Sequence, residues 1–180
     1  MPTWVVSVLM QDDLLALNRA TGIIRRRNLP VGSVSLGPTA RPGILRLTCV
    51  VSSDRDAADR MANALRKMVE VREVHVYAEG ECASRGHALV RVPVSPAQLS
   101  ALLDTVSLFQ ATVVEESPRE LLIEATGAEP LLRSFLRALE PFGILDVSRG
   151  GTLVLPPQCA SGGLAAPAAL PPRVAAAIPA

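Results

Sequence analysis

The side chains able to do acid–base or ligand chemistry are few and scattered. Carboxylate pairs stand at Asp12-Asp13, at Asp54 and Asp56, and at Glu115-Glu116, and the two histidines are His75 and His87. Two carboxylates can divide general-acid and general-base work. Adjacent side chains on a strand point to opposite faces, however, and aspartates at a helix start are explained as caps. Each histidine stands alone among its neighbours and reads as a surface or strand residue rather than a catalyst or ligand. Cys49, Cys82 and Cys159 are odd in number and lack CxxC spacing, so they predict reduced thiols, with Cys49 buried in an apolar strand. There is no P-loop, no GxGxxG, no HExxH and no GxSxG. A stand-alone enzyme is disfavoured, which leaves binding.

The stretch best placed for binding is Gln11-Asp12-Asp13-Leu14-Leu15. It follows a β-branched run, Val5 to Met10, and precedes a helical pattern over 14–27. The first amides of a helix have no intrahelical partner and sit at the positive end of its dipole, so such a turn can receive a carboxylate or phosphate. A small amino acid would set its carboxylate on these amides and its ammonium on a side-chain oxygen. The alternative is that Leu14 and Leu15 are core and Asp12 is a cap. Arg25, Arg26 and Arg27 close the helix, where cations complement the C-terminus; a phosphate-binding cluster is the competing reading.

These residues must be positioned by the elements around them. Leu14, Leu17, Thr21 and Ile24 mark a core face, strands are predicted over 31–36, 44–51 and 71–77, and Ser53-x-x-Asp56 opens a second helix as a capping box. The order βαββαβ over 3–78 is the ferredoxin-like arrangement, two helices on one face of a four-stranded antiparallel sheet. Residues 79–86, EGECASRG, read as a linker. Residues 87–155 then repeat the order: strand 88–94, a helix capped by Ser95 with Pro96 at its first position, a hairpin over Ser117-Pro118, a helix from Pro130, and a last strand broken at Gly150-Gly151. The expected fold class is α+β, two tandem ferredoxin-like domains. Residues 156–180, rich in Ala and Pro, read as a disordered tail.

The bulk numbers narrow the function further. A chain of 180 residues with 49% hydrophobic and 19% charged residues can bury a core. A net charge of +1 and 3% aromatic residues give no case for nucleic acid or an anionic membrane. The apolar run Trp4 to Met10 is too short to span a bilayer, and a cytoplasmic location is expected.

SVLMQDDLLALNRATGIIRRRNLPVGSVSLGPT resembles the N-terminal ACT domain of the acetolactate synthase (acetohydroxyacid synthase) small regulatory subunit family. The family pattern N-x-x-G-x-L-x-R, then R-G-Y-N-I and S-L, is matched at Leu17, Arg19, Gly22, Arg27 and Ser33. The likeness continues through LRLTCVV and ALRKMVEVREV, then ALVRV, LFQATVVEESP, LLIEATG and GILDVSRGG, over about residues 3 to 155. The resemblance implies an ACT domain at 3–78 and a homodimer paired through it. It also implies a partner, the large catalytic subunit, whose activity this chain raises in valine, leucine and isoleucine biosynthesis under valine feedback. Thiamine diphosphate, Mg and FAD would reside on that subunit and none on this chain. The implied effector residues are Asp12, Asp13, Leu14, Leu15, Ala16, Leu17, Pro30 and Val31. Three depart from the family: Asp12 and Pro30 replace asparagines, and Leu15 replaces the pocket glycine. Leucine adds bulk where a ligand must approach backbone closely, so weakened or altered valine feedback is expected. In the second domain His87 replaces a glutamate and Gln110 the arginine of F-R-G. A free-standing ACT-type sensor or interaction module is the alternative.

Overall fold

The computed structural model describes residues 1–156. The elements are β1 (Thr3–Gln11), α1 (Leu14–Arg27), β2 (Val31–Pro38), β3 (Ile44–Ser52), α2 (Arg55–Arg66) and β4 (Val71–Ala78), then β5 (Ala83–Pro93), α3 (Leu99–Leu108), β6 (Thr112–Glu116), β7 (Glu120–Gly127), α4 (Glu129–Leu139), β8 (Asp146–Arg149) and β9 (Leu153–Leu155). The first sheet has the order β2-β3-β1-β4 and the second β6-β7-β5-β8, with β9 also on β5. Every pairing is antiparallel. These are two ferredoxin-like βαββαβ units in tandem, as the sequence predicts. No helix among the described residues is long and apolar enough to cross a membrane.

Each unit has its own core. In the first, Val6, Val8 and Met10 of β1 and Leu47 and Cys49 of β3 meet Ala16 and Ala20 of α1 and Met61 and Leu65 of α2. In the second, Val90, Ile123, Leu132, Phe135 and Leu139 pack together, the Phe135 ring 5.5 Å from that of Phe109. The two clusters share no residue. α1 buries Ala16, Ala20 and Ile24, a narrower stripe than the expected Leu14, Leu17, Thr21 and Ile24. Leu17 packs at the flank of the core.

Element starts are where local chemistry differs from expectation. α2 is capped by Asp54, whose carboxylate accepts the Ala57 N–H at 2.6 Å, while the Ser53 hydroxyl donates to the Asp54 carbonyl. α3 begins at Leu99, one turn later than a Ser95 cap requires, because Ser95 offers its carbonyl to the Gln98 and Leu99 amides and Gln98 caps with no side chain. β5 begins at Ala83, inside the stretch read as a linker, with Ala83, Ser84 and Arg85 paired to β9. Small and polar residues disguise the start of this strand, and at Gly86 there is little room, since a Cβ would lie 2.9 Å from Leu132 Cδ1. Apart from Pro156, the Ala/Pro-rich tail lies outside the described residues.

Burial of Cys49, 1% exposed, pushes its thiol up from the ordinary 9.0 to about 11. The unfolded chain ionises first, so the thiol's contribution to stability is whole below pH 9 and is lost as pH rises toward 11. The slope is about 1.4 kcal/mol per pH unit. Cys49→Ala is expected to flatten the alkaline fall in denaturant midpoint between these limits. Peptide-mapped iodoacetamide labelling at pH 8 should leave Cys49 unmodified in the native chain.

Candidate functional site

The β1–α1 turn is held by its neighbours on every side. Gln11 N–H donates to Glu70 O, Asp12 N–H to Gly43 O and Asp13 N–H to Gln11 O, each at 2.9 Å. Glu70 is fixed in turn by an ion pair with Arg19. Asp13 is the cap: extended in backbone, it accepts the Leu15 N–H on Oδ1 at 3.1 Å and the Leu17 N–H on its carbonyl at 3.1 Å. The helix start therefore already carries a carboxylate from its own chain, with Asp12 exposed beside it. Two negative charges cancel the dipole's attraction for an anion and favour an ammonium instead.

Leu14 and Leu15 are not core. They are 79% and 64% exposed, whereas Ala16 is fully buried and Leu17 half-buried. Pro30 and Val31 lie elsewhere. The Pro30 carbonyl accepts Ser52 N–H at 2.9 Å, and Val31 pairs with Val51, which pairs with Trp4. That is the opposite end of β1 from Gln11, about 25 Å away at roughly 3.3 Å per residue. One chain thus assembles Asp12 to Leu17 at one end of the sheet and Pro30 and Val31 at the other.

The two histidines are each paired with a carboxylate on the surface rather than gathered in a cleft. His87 is not alone, as its Nε2 lies 2.8 Å from Glu124 Oε1, and His75 lies 3.4 Å from Glu73. Both pairs are solvent-accessible, and no hydroxyl or thiol hydrogen-bonds to either imidazole among the described residues. Among those residues no group of three His, Cys, Asp or Glu could hold a metal. Arg26 and Arg27 line a groove of about 460 Å³ with Arg60, Asn63 and Lys67. All four cations are exposed, so this is a solvated helix face rather than a built anion site.

A contact between the two domains has no counterpart in the sequence reading. Ser7 and Thr48, 1% and 2% exposed, are buried on the face of the first sheet that α1 and α2 leave open. At one edge of that face the chain leaves β4 through 79–82 into β5. At the other, Ser35 Oγ of β2 donates to the Thr152 carbonyl at 2.8 Å, and Ser33 Oγ lies 3.4 Å from Thr152 Oγ1. The second domain therefore reaches across the open face from edge to edge. The available signal is the alternation Ser33-Val34-Ser35-Leu36, polar on one face and apolar on the other.

A tandem pair of βαββαβ units, with no cluster of catalytic groups among the described residues, defines a two-domain ACT-like protein. A family model described as the small subunit of acetolactate synthase matches residues 85–156. The acetolactate synthase small subunit of Mycolicibacterium smegmatis is 32% identical over 152 residues, covering 84% of this chain and 89% of that protein. That of Mycobacterium leprae is 31% identical over 155 residues, covering 86% and 92%. The chain belongs to the acetolactate synthase small-subunit family. The crystal structure of the Thermotoga maritima small subunit shares the fold, with a TM-score of 0.78 at 21% identity over 87% of this chain and 98% of that one.

Proposed function

We propose that the chain is the regulatory subunit of acetolactate synthase: it docks on the thiamine-diphosphate-dependent large subunit, raises its activity, and serves valine, leucine and isoleucine biosynthesis. The observation that carries this reading is the end-to-end likeness to small subunits, 84% of this chain against 89% of the relative. The direct experiment is co-purification with the large subunit from the same genome, followed by synthase assays with and without this chain. Co-elution and activation are expected. Neither occurring would leave the free-standing sensor as the better account.

The working form is a homodimer paired along β2, the outer strand of the first sheet. A two-fold axis through the middle of β2 sets each copy's Gln11–Leu15 turn against the other copy's Pro30–Val31. This supports an effector pocket shared between copies, since one chain holds its parts at opposite ends. Asp12 can accept a ligand ammonium. The Asp13 carboxylate and the exposed Leu15 side chain oppose a ligand carboxylate there. Isothermal titration with valine is expected to show no binding in the micromolar range, and micromolar affinity would overturn the altered-feedback reading.

A further inference from the structure

The corner between β8 and β9 is where the second domain touches β2, and its geometry leaves no slack. β8 and β9 share β5 as partner but in different registers, so residues 150–152 bulge outward. Gly150 N–H anchors the bulge on His87 O at 2.9 Å. A Cβ on Gly151 would lie 2.6 Å from the Val34 carbonyl oxygen and 2.7 Å from Ser35 Cβ. Those atoms belong to the strand itself and cannot swing away, so only glycine lets the two surfaces meet. Thr152 completes the contact through its carbonyl, on Ser35 Oγ at 2.8 Å.

β2 is an edge strand of its sheet, free to adjust on one side. It has one hydrogen-bonded neighbour, β3, and its register with β3 shifts between Val31 and Ser33. Its outer edge is unpaired, and its apolar side chains Val34 and Leu36, on the helix side of the sheet opposite Cys49 and Leu47, are 45% and 40% exposed. A displacement of β2 at its outer edge therefore presses on, or withdraws from, the Gly151-Thr152 corner.

We propose that Gly150-Gly151-Thr152 is a latch coupling the outer strand β2 to the second domain, with Gly151 and Ser35 as its positioning residues. It rests on the reading of β2 as the pairing and effector edge: pairing there and seating of the second domain favour each other. Because such coupling is reciprocal, the factor by which a closed latch favours pairing is the factor by which pairing favours closing the latch, so loosening the latch weakens pairing.

The test uses the full chain carrying Gly151→Ala and, separately, Ser35→Ala, which removes the hydrogen bond without adding bulk. Hydrogen exchange is read over residues 31–38 and 146–155, and the dimer dissociation constant by sedimentation. Both variants are expected to exchange faster in both segments, by about ten-fold for Gly151→Ala, and to dimerise more weakly by about five-fold or more. Wild-type exchange in both variants would overturn the latch. Faster exchange at 146–155 alone, with β2 and the dimer unchanged, would overturn the coupling. If the wild-type chain is monomeric, the pairing reading fails instead, and exchange at 31–38 in the variants still decides the latch. Should Gly151→Ala fail to fold, Ser35→Ala alone decides both points.

Discussion

Phe135→Ala is expected to unfold the second domain and leave the first standing. Phe135 is fully buried on α4, its ring tilted 59° against Phe109 and packed in the cluster that holds Val90, Ile123 and Leu132. Truncating a buried phenylalanine removes transfer free energy and leaves a cavity that neighbours only partly fill, about 3–5 kcal/mol in all. A small domain has roughly 5–10 kcal/mol in total, so most of this one's margin disappears. The first core contains Met61, Leu65 and Leu47 and no residue of the second, so its helix-side packing is kept and only the cover over Ser7 and Thr48 is lost. Calorimetry should show a low-temperature transition split from a second one that shifts far less. Leu108→Ala, at a side chain 78% exposed, should shift neither by more than about 0.5 kcal/mol. A single, wholly shifted transition in Phe135→Ala would mean that the interdomain contacts, not the separate cores, set cooperativity.

The element order was legible because the chain announces it locally. β-branched runs such as Val5 to Met10 and Ile44 to Val51 alternate with patterns of helical period, and one βαββαβ cycle follows another. Three kinds of feature were not legible. Helix starts offer several polar residues in a row, and here Asp54 caps α2 while the Ser53 hydroxyl turns to the Asp54 carbonyl. The buried stripe of α1 runs through Ala16 and Ala20, which hydrophobic periodicity weighs less than Leu14. The contact of Ser35 with Thr152 joins residues 117 positions apart, and the alternation around Ser35 marks a polar face without naming its partner. For the candidate site, the sequence marks Gln11–Leu15 as a strand-to-helix turn but not the geometry around it. α1 carries the chain back along β1 for about 21 Å at roughly 1.5 Å per residue, which is why Pro30 and Val31 emerge at the far end of the sheet. Sequence neighbourhood suggests one pocket; topology divides it in two.

That division gives Leu36→Lys its expected consequence, the loss of the dimer and of the shared pocket together. Outer strands are usually guarded by charge against unwanted pairing. β4, the other edge of the first sheet, carries Arg72, Glu73 and His75, and β6, an edge of the second, carries Glu115 and Glu116. β2 reads VGSVSLGP, with no charged residue and with Val31, Val34 and Leu36 each at least 40% exposed. An unguarded apolar edge is one that pairs. In the proposed dimer, a two-fold axis near Val34 and Ser35 would set the Pro38 end of one copy against the Val31 end of the other. The β1 C-terminus is at the Pro38 end, since Met10 pairs with Leu45 and Leu45 with Pro38. A lysine at position 36 in both copies brings two like charges onto this seam without disturbing the core, because Leu36 is at the rim of its own domain. Sedimentation should show dimerisation weakened on the order of 100-fold, about 2.7 kcal/mol, with the thermal midpoint of the first domain shifted only as far as loss of the dimer requires. Val114→Lys on β6, 49% exposed at the native residue, should leave the dimer intact. If Leu36→Lys dimerises as tightly as the native chain, β2 is not the seam, and Pro30 and Val31 have no route to the Asp12 turn.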